Sequence, residues 1–107
     1  MDVTLTTLGN AAEIRLAGRF DFAAHMAFRK VIDPVLCRNE LNSICFDMSD
    51  VDYVDSSALG MLLMVRDRVR RRTHEGHNPA VIKIANVQPA PRRVLDIANF
   101  SRLFEME

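Results

Sequence analysis

Two adjacent serines, Ser56 and Ser57, follow an acidic stretch and precede a long segment of helical apolar periodicity. The run is Asp47-Met-Ser-Asp-Val-Asp-Tyr-Val-Asp55-Ser56-Ser57-Ala58-Leu59-Gly60. A serine at the start of a helix has two physical uses. Its hydroxyl can accept a backbone N–H as an N-cap. Alternatively it can carry a phosphoryl group, whose charge the unpaired amides and the positive dipole end tolerate. Two serines in a row permit one of each. Nucleophilic catalysis is a third use, and the sequence does not favour it. The Gly-x-Ser-x-Gly elbow is absent. None of His25, His74 and His77 is aligned by a motif as a base. No Walker-type glycine-rich phosphate loop is present either.

The remaining candidates for chemistry are weaker. His74-x-x-His77 with Cys37 or Cys45 lacks the tight paired spacing of zinc sites. The two histidines flank Gly76 and are expected to be solvated turn residues. The two cysteines are too few for a disulfide framework, and small buried hydrophobes are the default expectation for them. Arg66, Arg68, Arg70, Arg71 and Arg72 gather near the end of the second long helix, where the macrodipole favours cations. They are expected to form a solvated helix end. No catalytic residue, metal or cofactor is expected.

The elements that hold the serines follow from periodicity. Val3, Leu5 and Thr7 alternate with Thr4 and Thr6, and Ile14 and Leu16 alternate with Glu13 and Arg15. With Leu8-Gly9-Asn10 between them, these two runs predict a hairpin. Residues 22–38 carry a helical period, with Phe22, Met26, Val31 and Val35 on a broad apolar side that Phe28 and Ile32 extend. Asp21 is its candidate N-cap, and Pro34 predicts a kink or an early stop. Residues 43–48 predict a buried strand and residues 49–55 an acidic loop. Residues 57–73 predict the strongest helix, with Leu59, Leu62, Leu63 and Val69 on one side and Arg66 at its border. Residues 80–85 predict a strand, and residues 89–99 a short helix with Asn99 as a left-handed C′ residue. A last strand is predicted at 103–106. The order β-β-α-β-α-β-α-β predicts an α/β fold with a mixed sheet, parallel except for the first hairpin and closed by right-handed crossovers.

Length and composition bound the rest. At 107 residues, 49% apolar and 26% charged, the chain is one globular domain, residues 1–107, and is not disordered. Fourteen basic residues balance fourteen acidic ones, which argues against a general nucleic-acid binder. The balance hides an asymmetry. Residues 1–60 hold five basic and nine acidic residues, whereas residues 61–107 hold nine basic and five acidic. Charge separated in this way can orient a partner. The longest apolar run, Ala58 to Val65, falls far short of the ~20 residues of a membrane span. No basic-then-apolar leader opens the chain, so a cytoplasmic protein is expected.

The serine segment resembles the signature of STAS domains, and more narrowly that of bacterial anti-sigma factor antagonists, whose usual form is Asp-Ser-Ser/Thr-Gly-Leu-Gly. Gly18-Arg19-Phe20-Asp21 is similar to the family's Gly-x-Leu/Phe-Asp, and Arg93 to Phe100 is similar to its late helix. The resemblance spans essentially the whole chain. Ala58 departs from the family's glycine, Asn99 replaces another glycine, and a C-terminal helix that many relatives add is absent after Glu107. That omission is expected to expose apolar surface for a partner or for self-association, as a monomer or weak homodimer.

The resemblance implies a binding module rather than an enzyme. It implies a phosphoacceptor at Ser57, with Ser56 the alternative, and a partner surface of Asp21, Asp55, Ser56, Ser57 and Ala58. The implied partners are an anti-sigma factor that is also a serine kinase, and a PP2C-type, metal-dependent phosphatase. The unphosphorylated form binds the kinase, phosphorylation separates the two, and the phosphatase resets the switch. Neither nucleic acid nor membrane is implied. The rival readings are a phospho-switch acting on a kinase or phosphatase that controls secretion, motility or biofilm output, and a non-switching structural subunit of a larger assembly.

Overall fold

A computed structural model describes all residues, Met1–Glu107. Strands β1 (Asp2–Leu8) and β2 (Ala11–Phe20) form the hairpin, and a 3-10 turn (Phe22–Ala24) leads into α1 (His25–Leu36). Then come β3 (Ser43–Val54), α2 (Ser56–His74), β4 (Val81–Ala85), α3 (Pro89–Ile97), a second 3-10 turn (Phe100–Arg102) and β5 (Glu105–Met106). The five-stranded sheet has the order β1-β2-β3-β4-β5. Only β1 and β2 are antiparallel; β2, β3, β4 and β5 pair in parallel. This is the mixed α/β architecture the sequence predicts.

Each crossover advances one strand in the same direction, so right-handed connections put the three helices on one face of the sheet. Burial alternates accordingly. Ile14, Leu16, Ile44, Phe46, Met48, Ile82 and Ile84 are buried beneath the helices, while Glu13 and Arg15 face solvent on the other side. The centre of the core is aromatic. Phe28 of α1 lies between Phe20 of β2 and Phe46 of β3, with ring centroids 5.3 and 5.8 Å away.

Several local expectations are corrected. Residues 49–54 are not a loop but the second half of β3, paired with the end of β2. The alternation of side chains is broken there because two register shifts accommodate extra residues on β3, between Arg15 and Ala17 and between Gly18 and Arg19 of its partner. Gly18 takes φ +105° at the second shift, a conformation that a side chain would oppose. The first helix begins as a 3-10 turn, so its apolar face is rotated from the one expected. Phe28, Ile32, Val35 and Leu36 are buried, whereas Phe22 and Met26 are 79% and 82% exposed. Pro34 stays within α1, which ends two residues later. On α2, Met61, Leu62, Val65 and Val69 are buried, Leu59 is half-buried and Leu63 is exposed. Cys37 is exposed and Cys45 half-buried, so neither is a fully buried hydrophobe. His74 closes α2, and only His77 lies in the following loop.

The arginine run also departs from a uniformly solvated helix end. Arg72 is buried, and its Nη2 donates to the carbonyls of Arg38 and Asn39, tying the end of α2 to the segment after α1. Hydrogen bonds to a charged donor contribute about 1.5–3 kcal/mol. Arg72→Met is therefore expected to lower stability by about that amount, read as a fall in the urea midpoint at unchanged m-value.

Asp33 joins the two long helices. It accepts from Arg29 Nε at 3.0 Å and from Arg68 Nη1, and the Arg29 hydrogen bond, reinforced by Arg68, holds its carboxyl below the ordinary value. Asp47 is likewise lowered, first by the backbone N–H of Ser49 and then by the side chain of Asn86. A carboxyl depressed in the folded state stabilises above its unfolded pKa of ~3.9 and ceases to do so as pH falls through its folded value. The melting temperature is expected to be flat between about pH 7 and pH 5 and to fall below about pH 4. Asp33→Asn should make that fall shallower. An unchanged acid slope in the variant would contradict the assignment.

Candidate functional site

The site is built at the carboxyl ends of β2 and β3. Their final pairs are Arg19 with Tyr53 and Phe20 with Val54. Each strand then delivers an aspartate to begin a helical segment. Asp21 accepts the N–H of Ala23 at 3.0 Å and caps the 3-10 turn. Asp55 accepts the N–H of Ala58 at 3.1 Å and caps α2. The two junctions are joined by the backbone, because the N–H of Asp55 donates to the carbonyl of Phe20 at 3.3 Å. The 3-10 turn also packs against α2. Adjacent carboxyl ends of parallel strands are where open α/β sheets place their binding surfaces.

The sequence offers a serine as the cap of α2. In the structure it is Asp55. Ser56 and Ser57 occupy the first two helical positions, and neither hydroxyl makes a hydrogen bond within the protein. Their own N–H groups have no intrahelical acceptors. Ser56 is exposed and Ser57 half-buried, and Ala58, the next residue of α2, is fully buried. All five residues singled out by the signature, Asp21, Asp55, Ser56, Ser57 and Ala58, therefore lie around one strand-to-helix corner. Asp55→Ala should lower stability by about 1 kcal/mol through loss of the cap, read from a urea transition.

Four further residues on or after the end of β2 and β3 were not read from the sequence as site residues. The Arg19 guanidinium lies 4.0 Å from the centroid of the Tyr53 ring, and its Nε is 3.5 Å from Asp21 Oδ2. Stacked cation and ring hold each other while leaving the arginine largely exposed. Phe22 and Met26, on the first turns after Asp21, project into solvent. Periodicity cannot find this arrangement. Arg19 and Tyr53 are brought together by strand pairing across two bulges, and Phe22 is turned outward by the 3-10 geometry.

The structure groups no three His, Cys, Asp or Glu side chains as metal ligands, and no helix is long and apolar enough to cross a membrane.

Comparison with known proteins agrees with the fold. The family model described as STAS domain matches residues 2–107. A STAS-domain containing protein of Pseudomonas aeruginosa (strain UCBPP-PA14) is 40% identical over 98 residues, covering 92% of this chain and 89% of that protein. Among solved structures, an anti-sigma factor antagonist from Mycobacterium paratuberculosis superposes with a TM-score of 0.78 at 16% identity, covering 97% of this chain and 82% of that one. The anti-sigma factor antagonist SpoIIAA in its unphosphorylated form gives 0.68 at 22% identity, covering 98% and 86%. The phosphorylated form of SpoIIAA, a Bacillus cell fate determinant, gives 0.66 at 20% identity, covering 98% and 90%. These likenesses show a shared fold.

Proposed function

The chain belongs to the STAS domain family, and on that basis we propose that it is an anti-sigma factor antagonist of the partner-switching kind. It is a binding module and a kinase substrate, not an enzyme. Its unphosphorylated form binds an anti-sigma factor that is also a serine kinase. The kinase transfers a phosphoryl group to Ser57, and a PP2C-type phosphatase removes it. The observation that carries this reading is the division of labour at the start of α2. Asp55 supplies the cap, so both serine hydroxyls are free of structural duty. A solved neighbour that exists in unphosphorylated and phosphorylated forms supports the same reading.

Phosphate adds roughly −1.5 to −2 charge and three acceptor oxygens. At a helix N-terminus that charge is stabilised by about 0.3–1 kcal/mol. The domain therefore keeps its fold while the corner becomes more strongly negative. Asp21 and Asp55 already make the corner acidic, and Arg19 is engaged by Asp21 and Tyr53. A docked kinase surface accommodates a neutral hydroxyl there and meets a dianion after transfer. Phe22 and Met26 supply apolar contact for the same partner.

The test is peptide mass spectrometry of the protein purified from its own cells, alongside Ser57→Ala and Ser56→Ala. One phosphate on Ser57, lost only in the first variant, is expected. A phosphate confined to Ser56 would move the acceptor by one residue. No phosphate under any growth condition, with both serines dispensable for partner capture, would overturn the switch in favour of a constitutive binding module.

A further inference from the structure

The two edges of the sheet are treated very differently. β5 is only two residues long, begins with the charged Glu105 and is followed by Glu107. β1 is seven residues long, Asp-Val-Thr-Leu-Thr-Thr-Leu, with no lysine, arginine or proline, and its register against β2 is unbroken. Protected edges carry charges, prolines, bulges or short strands. Beyond its first residue, β1 has none of these.

The unpaired groups of that edge can be assigned. Gly9, at φ +59°, and Asn10 form a two-residue hairpin loop between Leu8 and Ala11. In such a loop the flanking residues exchange both hydrogen bonds, and bonded pairs then recur at every second residue. Leu8, Thr6, Thr4 and Asp2 therefore turn their N–H and C=O groups toward β2. Val3, Leu5 and Thr7 turn theirs outward. Beside the same strand, on its helix-covered side, lies an open groove of about 460 Å³ lined by Val3, Leu5, Ala27, Lys30, Val31 and Pro34.

From these observations we propose that β1 pairs with β1 of a second copy of this chain, antiparallel about a twofold axis normal to the sheet. The strand is self-complementary in the register centred on Leu5. Leu5 lies opposite the partner's Leu5, Val3 opposite the partner's Thr7, and Thr4 opposite the partner's Thr6. The outward groups of Val3, Leu5 and Thr7 are the ones that this register bonds. Along the paired strands no like charges lie opposite each other, and a threonine pair across strands is favourable. The axis keeps both helix layers on the same side, so the two apolar grooves meet over the leucine pair. β2 separates β1 from β3 and the start of α2, so the serine corner of each copy stays open. The pairing is independent of the phospho-switch and stands or falls separately.

Sedimentation velocity on the full chain, from about 10 μM to about 1 mM, tests it. The mass is expected to rise from 12.1 kDa toward twice that value. Hydrogen exchange at high concentration should slow at the amides of Val3, Leu5 and Thr7. Leu5→Lys sets like charges opposite each other, and Thr7→Pro removes only an outward N–H. Each should raise the dimer dissociation constant by about tenfold or more. A wild type that remains at 12.1 kDa throughout the range overturns the proposal. So does undiminished association of both variants, which would place the contact elsewhere. Should a variant melt early, the wild-type exchange pattern decides: no added protection at these three amides at high concentration overturns it.

Discussion

Phosphorylation of Ser57 is expected to weaken binding to the kinase-type partner by about a hundredfold or more while leaving the fold unchanged. The magnitude follows from charge. Each 1.4 kcal/mol of lost binding is tenfold in affinity, and like charges brought together in a docked interface cost several kcal/mol. The corner around Ser57 already carries Asp21 and Asp55. A partner able to dock there has adapted to an acidic surface with a neutral hydroxyl at its centre. A phosphate adds nearly two more negative charges at that point. The fold survives because the new charge meets the positive end of α2 and displaces no hydrogen bond: the cap is Asp55 and the serine hydroxyls are unpaired. Titration calorimetry of both forms against the partner, with backbone amide spectra of both forms, checks this. Shift changes confined to the first turn of α2 and the end of β2 are expected. Changes spread across the sheet would mean that the switch works by refolding instead. Equal affinities of the two forms would refute the switch itself.

Phe28→Ala is expected to be the most damaging single core truncation, costing about 3–5 kcal/mol. Phe28 is fully buried, stacked on Phe46 and tilted against Phe20, so it joins α1 to both central strands. Its removal leaves a cavity bounded by two rings that are held by strand pairing and cannot collapse into it. The whole stability of a domain is only about 5–15 kcal/mol. The variant should therefore melt at much lower temperature, or be partly unfolded at 37 °C, as read by circular dichroism. A loss under 1 kcal/mol would show that the aromatic stack is peripheral to stability. Phe20 is also the residue whose carbonyl binds Asp55. Loosening the stack is thus expected to blur the geometry of the serine corner as well, visible as broadened amide signals at Asp55 and Ser57.

Local sequence was sufficient for a large part of this protein. The element order, the hairpin turn at Gly9, the second long helix and the left-handed Asn99 are all written in short-range patterns. Period-two and period-three-to-four alternation, turn residues and cap residues act within a few positions of one another. The aspartate-serine-serine corner was legible as a motif for the same reason: an acidic stretch, two serines and a helix start are contiguous in the chain.

What sequence could not decide are the relations between distant residues. Residues 49–54 read as a loop because their alternation is broken; pairing with the end of β2, through two bulges, makes them strand. Phe22 and Met26 read as core because they are apolar and suitably spaced. The 3-10 turn ahead of α1 rotates them into solvent, and the buried face falls to Phe28, Ile32, Val35 and Leu36. Arg72 read as solvated, yet carbonyls of Arg38 and Asn39 draw it inward. The choice of Asp55 over either serine as the cap is a matter of one side-chain contact, to Ala58. Identities and spacings fix which groups are available. Which of them meet is settled only when the sheet closes, because that free energy comes from contacts the chain forms across many residues rather than along a few.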